Sequence, residues 1–258
     1  MKDLKVRVLS AIVGLALLVF IISRGDILLA TSILLVSLMG LREFYRALNN
    51  IGLKTVDLIG YLGALGIYLS NAFGIISIGL VFYLLTALLL IKLLFNKNLQ
   101  VVDIAATLLG ITYIPFFMFY IYKLDGSPYI WLVFIIAFGT DTFAYLVGNL
   151  FGKNKLCPEI SPNKSREGAI GGVLGSLILT LIFGYINDID SLGGLIILSV
   201  ITSIISQMGD LIASRIKRLA KIKDYGFIMP GHGGVLDRFD SIIFSAPLIY
   251  YYVTQILI

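Results

Sequence analysis

Between residues 214 and 240 the chain concentrates groups that could do chemistry on phosphates. Arg215, Lys217, Arg218, Lys221 and Lys223 come first, a Pro-Gly-His-Gly-Gly turn follows at 230–234, and Asp237, Arg238 and Asp240 close the segment. Cations neutralise phosphate oxygens, a glycine turn bares backbone N–H groups, and carboxylates hold a divalent cation, so the three ingredients of a polyphosphate site stand together. Asp237, Asp240 and Ser241 fall at i, i+3 and i+4, on one face at the start of a helix. Acids in a first turn also suit the helix dipole, but one would be enough for that, and Asp237 is read as a metal or phosphate residue. His232 is the only histidine, which excludes a histidine-cluster metal site. With glycines on both sides, phosphate contact and turn packing both remain open for it.

Two further carboxylates lie inside apolar stretches, where ionisable groups are costly and are functional candidates by default. Asp210 continues a row formed by Ser203, Ser206, Ser214, Lys217 and Lys221, spaced three and four apart and so on one helical face. The serines alone are accounted for as a polar seam joining helices; Asp210, close to the cation run, is read as functional. Asp141 is followed on its face by Tyr145, Gly148 and Gly152 and flanked by Thr140 and Thr142, so a catalytic and a structural role stay equally open. A second cationic, hydroxyl-bearing segment runs over residues 161–168, with Ser161, Lys164, Ser165 and Arg166, and leads through Gly171 and Gly172 into a helix. Free N–H groups at a helix start bind anions. The spacing does not match a P-loop.

The elements that hold these residues belong in a bilayer. Of 258 residues, 59% are hydrophobic and 14% charged, with a mean hydropathy of +0.98, far beyond what a water-soluble domain needs. A span takes roughly 20 apolar residues, and the sequence predicts about nine, near 8–23, 27–48, 58–73, 75–95, 104–122, 129–151, 169–186, 192–212 and 237–258. The first resembles a signal peptide but lacks a small-x-small cleavage site and is expected to be a retained helix. With the N-terminus in the cytoplasm, eighteen of the twenty Lys and Arg residues fall on the cytoplasmic side, leaving Arg24 and Lys123 outside, as positive-inside retention requires. The lone Cys157 cannot form an intrachain disulfide and implies no oxidising compartment. The expectation is therefore an all-α, polytopic, single membrane domain over 1–258, with scaffold helices in 1–124 and a working half in 125–258.

The segment 214–240 resembles the signature of the phosphatidate cytidylyltransferase, or CDP-diacylglycerol synthase, family: Ser214, Lys217-Arg218, Lys223-Asp224, Pro230, His232-Gly233-Gly234, Asp237-Arg238 and Asp240 stand at its specified positions. Met229, Ser165 and Asn149 depart from the family's usual residues. The first two conserve the chemistry, and Asn149 removes one candidate phosphate contact.

The resemblance implies transfer of a cytidylyl group from CTP to phosphatidic acid, with Mg²⁺ and a second cation such as K⁺, by a homodimer in the cell's inner membrane whose site faces the cytoplasm. No nucleic acid is expected as a partner. By motif position Asp210 and Asp237 would converge to hold metal, and Lys223 and Arg238 would join them in catalysis. Substrate binding would fall to Ser161, Lys164, Ser165, Arg166, Ser214, Lys217, Arg218, Asp224, His232, Gly233, Gly234, Asp240 and Asp141. A cation-coupled secondary transporter is the rival of another class, since intramembrane acids and glycine-broken helices also mark ion pathways. The absence of an inverted repeat argues against it, and the paired motifs of CDP-alcohol phosphotransferases are missing.

Overall fold

The computed structural model describes residues 2–227 and 233–257. The chain forms two compact units, Met1–Asp125 with Lys217–Phe239, and Gly126–Ile216 with Asp240–Ile258. The cationic segment thus groups with the N-terminal helices.

In the first unit α1 (Lys2–Arg24) breaks at Gly25, whose φ of 63° a side chain would resist, into α2 (Asp26–Asn49). There follow α3 (Asp57–Phe73), α4 (Ile78–Phe95), α5 (Val101–Ile111) and α6 (Phe117–Tyr122). Between the last two, Thr112–Phe116 takes a π-helical turn around Pro115. Proline has no N–H to donate and its ring crowds the preceding turn, which the wider winding accommodates. Leu41, Phe44, Tyr45, Ile67, Ile111, Ile114 and Phe119 are almost fully buried in this unit. Tyr45 lies against Gly60 and Gly110, where an added Cβ would meet its ring, and its hydroxyl donates to the Thr107 carbonyl at 2.8 Å. A polar clamp closes the α2–α3 connection: Asp103 accepts the N–H groups of Lys54 and Gln100 at 2.7 and 2.8 Å.

The second unit is built on α7 (Ile130–Phe151) and α8 (Arg166–Ile186), its most extensive helix pair. They approach closely because α8 presents Gly168, Gly171, Gly172 and Gly175 to Ala144, Val147, Thr140 and Phe143 of α7. Small residues are the membrane solution to helix packing, where no hydrophobic force drives association. Between them runs an antiparallel hairpin, β1 (Lys155–Cys157) and β2 (Ser161–Ser165), pairing Lys155 with Ser165 and Cys157 with Ser161. The remaining helices are α9 (Leu192–Leu219) and α10 (Leu236–Tyr252), the latter continuing as a π-helical turn, Val253–Leu257. Buried hydroxyls bind α9 to its neighbours: Thr140 donates to Ser203 at 2.8 Å, and Thr180 and Ser199 lie 3.2 Å apart. For Ser203 the seam reading holds.

Among the described residues, six helical stretches are long and apolar enough to cross a membrane: Asp26–Asn49, Ile78–Phe95, Val101–Tyr122, Ile130–Phe151, Arg166–Ile186 and Leu192–Leu219. Ile12–Arg24 is a shorter apolar helix, and α3 and α10 have 17 residues each. The protein is a mostly helical, multi-pass membrane protein.

Candidate active site

In the second unit Asp210 of α9 is the centre of a polar constellation. One carboxylate oxygen forms an ion pair with Lys164 of β2, and the other accepts the Ser214 hydroxyl at 3.3 Å. The hairpin delivers Lys164 because its base is tied to the start of α8. Glu167 accepts the N–H groups of Lys153 and Asn154 at 3.1 and 3.2 Å and the Asn154 amide at 2.7 Å, while the Arg166 N–H donates to the Asn154 carbonyl at 2.9 Å. A cavity of ≈ 540 Å³ opens here, lined among others by Asp141, Ser161, Asn163, Lys164, Gln207 and Asp210. Four of the six were expected at the site, and Asn163 and Gln207 are additions.

Asp141 accepts the Ser241 hydroxyl at 3.2 Å, and Asp240 accepts the Ser241 N–H at 2.8 Å. Ser165 is a buried N-cap of α8, its hydroxyl accepting the Gly168 N–H at 3.1 Å. That hydroxyl therefore has a local task, satisfying one of the free donors of the helix start. Arg166 is exposed and does not line the cavity.

In the first unit Asp237 opens α10. Its Oδ2 accepts the N–H groups of Tyr225 and Gly234 at 2.8 and 2.9 Å, and its Oδ1 meets Lys217 Nζ at 2.7 Å. Its side chain is only 4% exposed against 25% for Asp210, so the Lys217 pair is the more strongly desolvated of the two. Arg218 and Arg238 are exposed. Gly231 and His232 lie outside the described residues.

The sequence reading missed Glu43 of α2. It is 5% exposed, and its two carboxylate oxygens accept the Val235 and Leu236 N–H groups at 3.0 and 2.8 Å. An added Cβ at Gly226 or Gly234 would collide with that carboxylate, so both glycines are spaces for it. Glu43 caps the start of α10 from another helix, at the two residues immediately before Asp237. The signal that pointed to Asp210, an acid in an apolar stretch, is also present at Glu43, inside the span predicted over 27–48, but it does not name the partner.

These features define a class: a multi-pass membrane protein whose carboxylates are paired with lysines beside polar cavities and glycine turns, equipped for a polyanionic ligand. Residues 5–256 match the model of the Cytidylyltransferase family, and the chain belongs to that family. It is 37% identical over 267 residues to a phosphatidate cytidylyltransferase of Staphylococcus saprophyticus, with 98% of this chain and 100% of the relative covered. Proteins of the same name from Staphylococcus haemolyticus and Staphylococcus aureus are also 37% identical, over 260 and 256 residues, each covering 95% of this chain and 97% of the relative.

Proposed function

We propose that the chain transfers the cytidylyl group of CTP to phosphatidic acid, producing CDP-diacylglycerol and pyrophosphate. The observation that carries this reading is the near full-length similarity to phosphatidate cytidylyltransferases; the family match over 5–256 takes in every proposed site residue. In the reaction a phosphate oxygen of phosphatidic acid attacks the α-phosphorus of CTP. A new P–O–P bond forms as the bond to the β-phosphate oxygen breaks, and the electron pair leaves with pyrophosphate. The nucleophile is already ionised at neutral pH, so no strong general base is needed. The barrier is the mutual repulsion of two anions, and the protein's task is to neutralise and align them.

Lys164, Lys217, Lys223, Arg218 and Arg238 supply positive charge, and the missing side chains of Gly233 and Gly234 let a phosphate come close to the backbone there. The two aspartates fit a hard cation. Asp210 shares its cavity with Asp141, Ser161 and Asn163, a set of oxygen donors suited to Mg²⁺. The ammonium groups on Asp210 and Asp237 stand in for such a cation. Mg²⁺ commonly uses one or two carboxylates and completes its shell with phosphates and water. Asp210 and Asp237 are each placed to hold a cation, Mg²⁺ with a second such as K⁺, which would supply charge withdrawal from phosphate oxygens. Lys164 and Lys217 would then be left to hold phosphate.

The membrane placement belongs to the same proposal: about nine spans, the N-terminus and the site in the cytoplasm, the cell's inner membrane, and a homodimer. The charge bias of the loops supports the orientation. A site at the membrane edge lets the acyl chains stay in lipid throughout.

Chelation tests the metal. With EDTA, formation of nucleotide-bearing lipid by the purified protein is expected to fall to background and to return on adding excess Mg²⁺, with far-UV circular dichroism unchanged. Full turnover in EDTA would remove the divalent cation from the site.

A further inference from the structure

At the C-terminal end of α2 a second cavity, of ≈ 320 Å³, is lined by Arg46 and Asn50 together with Lys223, Asp224, Tyr225 and Phe227. Glu43, Arg46 and Asn50 are spaced by three and four, so a single face of α2 both grips the backbone at 235–236 and borders this space. Two cations from elements far apart in sequence face the same hollow. Among the described residues, neither Arg46 nor Lys223 has a carboxylate within ion-pair distance. Asp224 is the one acid in the lining, leaving a net positive charge. Like charges gathered without enough counter-charge disfavour the empty site and favour an anion that bridges them.

The walls also say which anion. Phe227 is 82% exposed, an aromatic face at the rim on which a nucleobase can stack. A diacylglycerol phosphate has no flat ring to offer. Asp224 and Asn50 supply acceptors for an exocyclic amine, which cytosine has and a phospholipid headgroup reduced to phosphate lacks.

We propose that this cavity is a nucleotide subsite in which Arg46, from a helix the sequence placed among the scaffold, binds the phosphates of CTP together with Lys223. The inference rests on the cytidylyl-transfer reading and adds a specific residue to it. Arg46 is exposed and hydrogen-bonds through a planar fork suited to two phosphate oxygens.

The test compares Arg46→Ala and Arg46→Lys with wild type, varying CTP and phosphatidic acid separately, and measures equilibrium binding of CTP to each protein without lipid substrate. The alanine variant is expected to raise KM and Kd for CTP roughly tenfold or more, with KM for phosphatidic acid unchanged. Lysine should recover part of that loss by restoring the charge without the fork. Unchanged CTP affinity in Arg46→Ala overturns the proposal. So does a rise confined to KM for phosphatidic acid, which would give the cavity to the lipid phosphate. Failure of the wild-type protein to make nucleotide-bearing lipid at all would instead sink the underlying reaction, a result visible before any variant is compared.

Discussion

Asparagine at position 210 is expected to abolish CTP-dependent lipid product, lowering turnover by roughly 10³-fold or more, the scale associated with losing preorganised charge stabilisation. The substitution keeps the shape of the side chain and one acceptor oxygen, so Ser214 retains a partner. What disappears is the negative charge that Lys164 answers. The Asp210 side chain is 25% exposed, and an ammonium left beside a neutral amide there can still be solvated, so the protein should remain monodisperse and melt near the wild-type temperature. Asp237→Asn should be equally inactive but less stable. The remaining amide oxygen can still take the Tyr225 and Gly234 N–H groups that Oδ2 accepts in the wild type. Lys217, however, would lose its counter-charge in a shielded place, and breaking a buried pair costs about 3–5 kcal/mol. Steady-state turnover beside a detergent melting curve separates the two effects. Wild-type turnover in Asp210→Asn would remove that carboxylate from the site.

The second large effect belongs to Glu43. Alanine there leaves the buried Val235 and Leu236 N–H groups without an acceptor, at about 1–3 kcal/mol for each, and opens a void beside Gly226 and Gly234. The start of α10 should shift, and displacements of an ångström at a catalytic group cost on the order of 100-fold. Turnover is expected to fall by about that factor in Glu43→Ala. Glutamine keeps one acceptor but turns an NH₂ toward the second backbone donor, so Glu43→Gln should recover only part of the loss. If Glu43 acts only by positioning Asp237, the loss appears mainly in kcat, with the affinity for CTP measured without lipid little changed. Turnover of wild-type size in a Glu43→Ala protein that is folded would show that the clamp does not matter for catalysis.

The helical stretches were legible because hydropathy and charge bias report directly on transfer into lipid. The end of α9 was harder to place. The sequence predicted a span to residue 212, whereas the helix continues to Leu219, because a run of cations ends an apolar segment without ending hydrogen bonding. The hairpin at 155–165 was read as a loop, since strands of three and five residues containing Pro162 carry no alternation of apolar side chains. Ser165 stood out by its type and surroundings, and it both caps α8 through its Gly168 contact and lines the cavity beside Asp210, a local task that no sequence pattern separates from a ligand's. The task of Glu43 was hidden for a different reason. Its partners are backbone groups 192 and 193 residues away, and no local pattern encodes an acceptor for another helix's first turn. For the same reason the grouping of Lys217–Phe239 with Met1–Asp125 could not be read from composition, which put the polar residues in one half of the chain.

The reaction itself is tested most directly by where the phosphorus of CTP goes. Purified protein is given phosphatidic acid and CTP labelled in parallel at the α- or the γ-position, and the organic and aqueous phases are counted. The α-label should enter the lipid phase, with one pyrophosphate released per labelled lipid, while the γ-label stays in water as pyrophosphate. Transfer of the γ-label to lipid, or no label in lipid from either position, would contradict cytidylyl transfer.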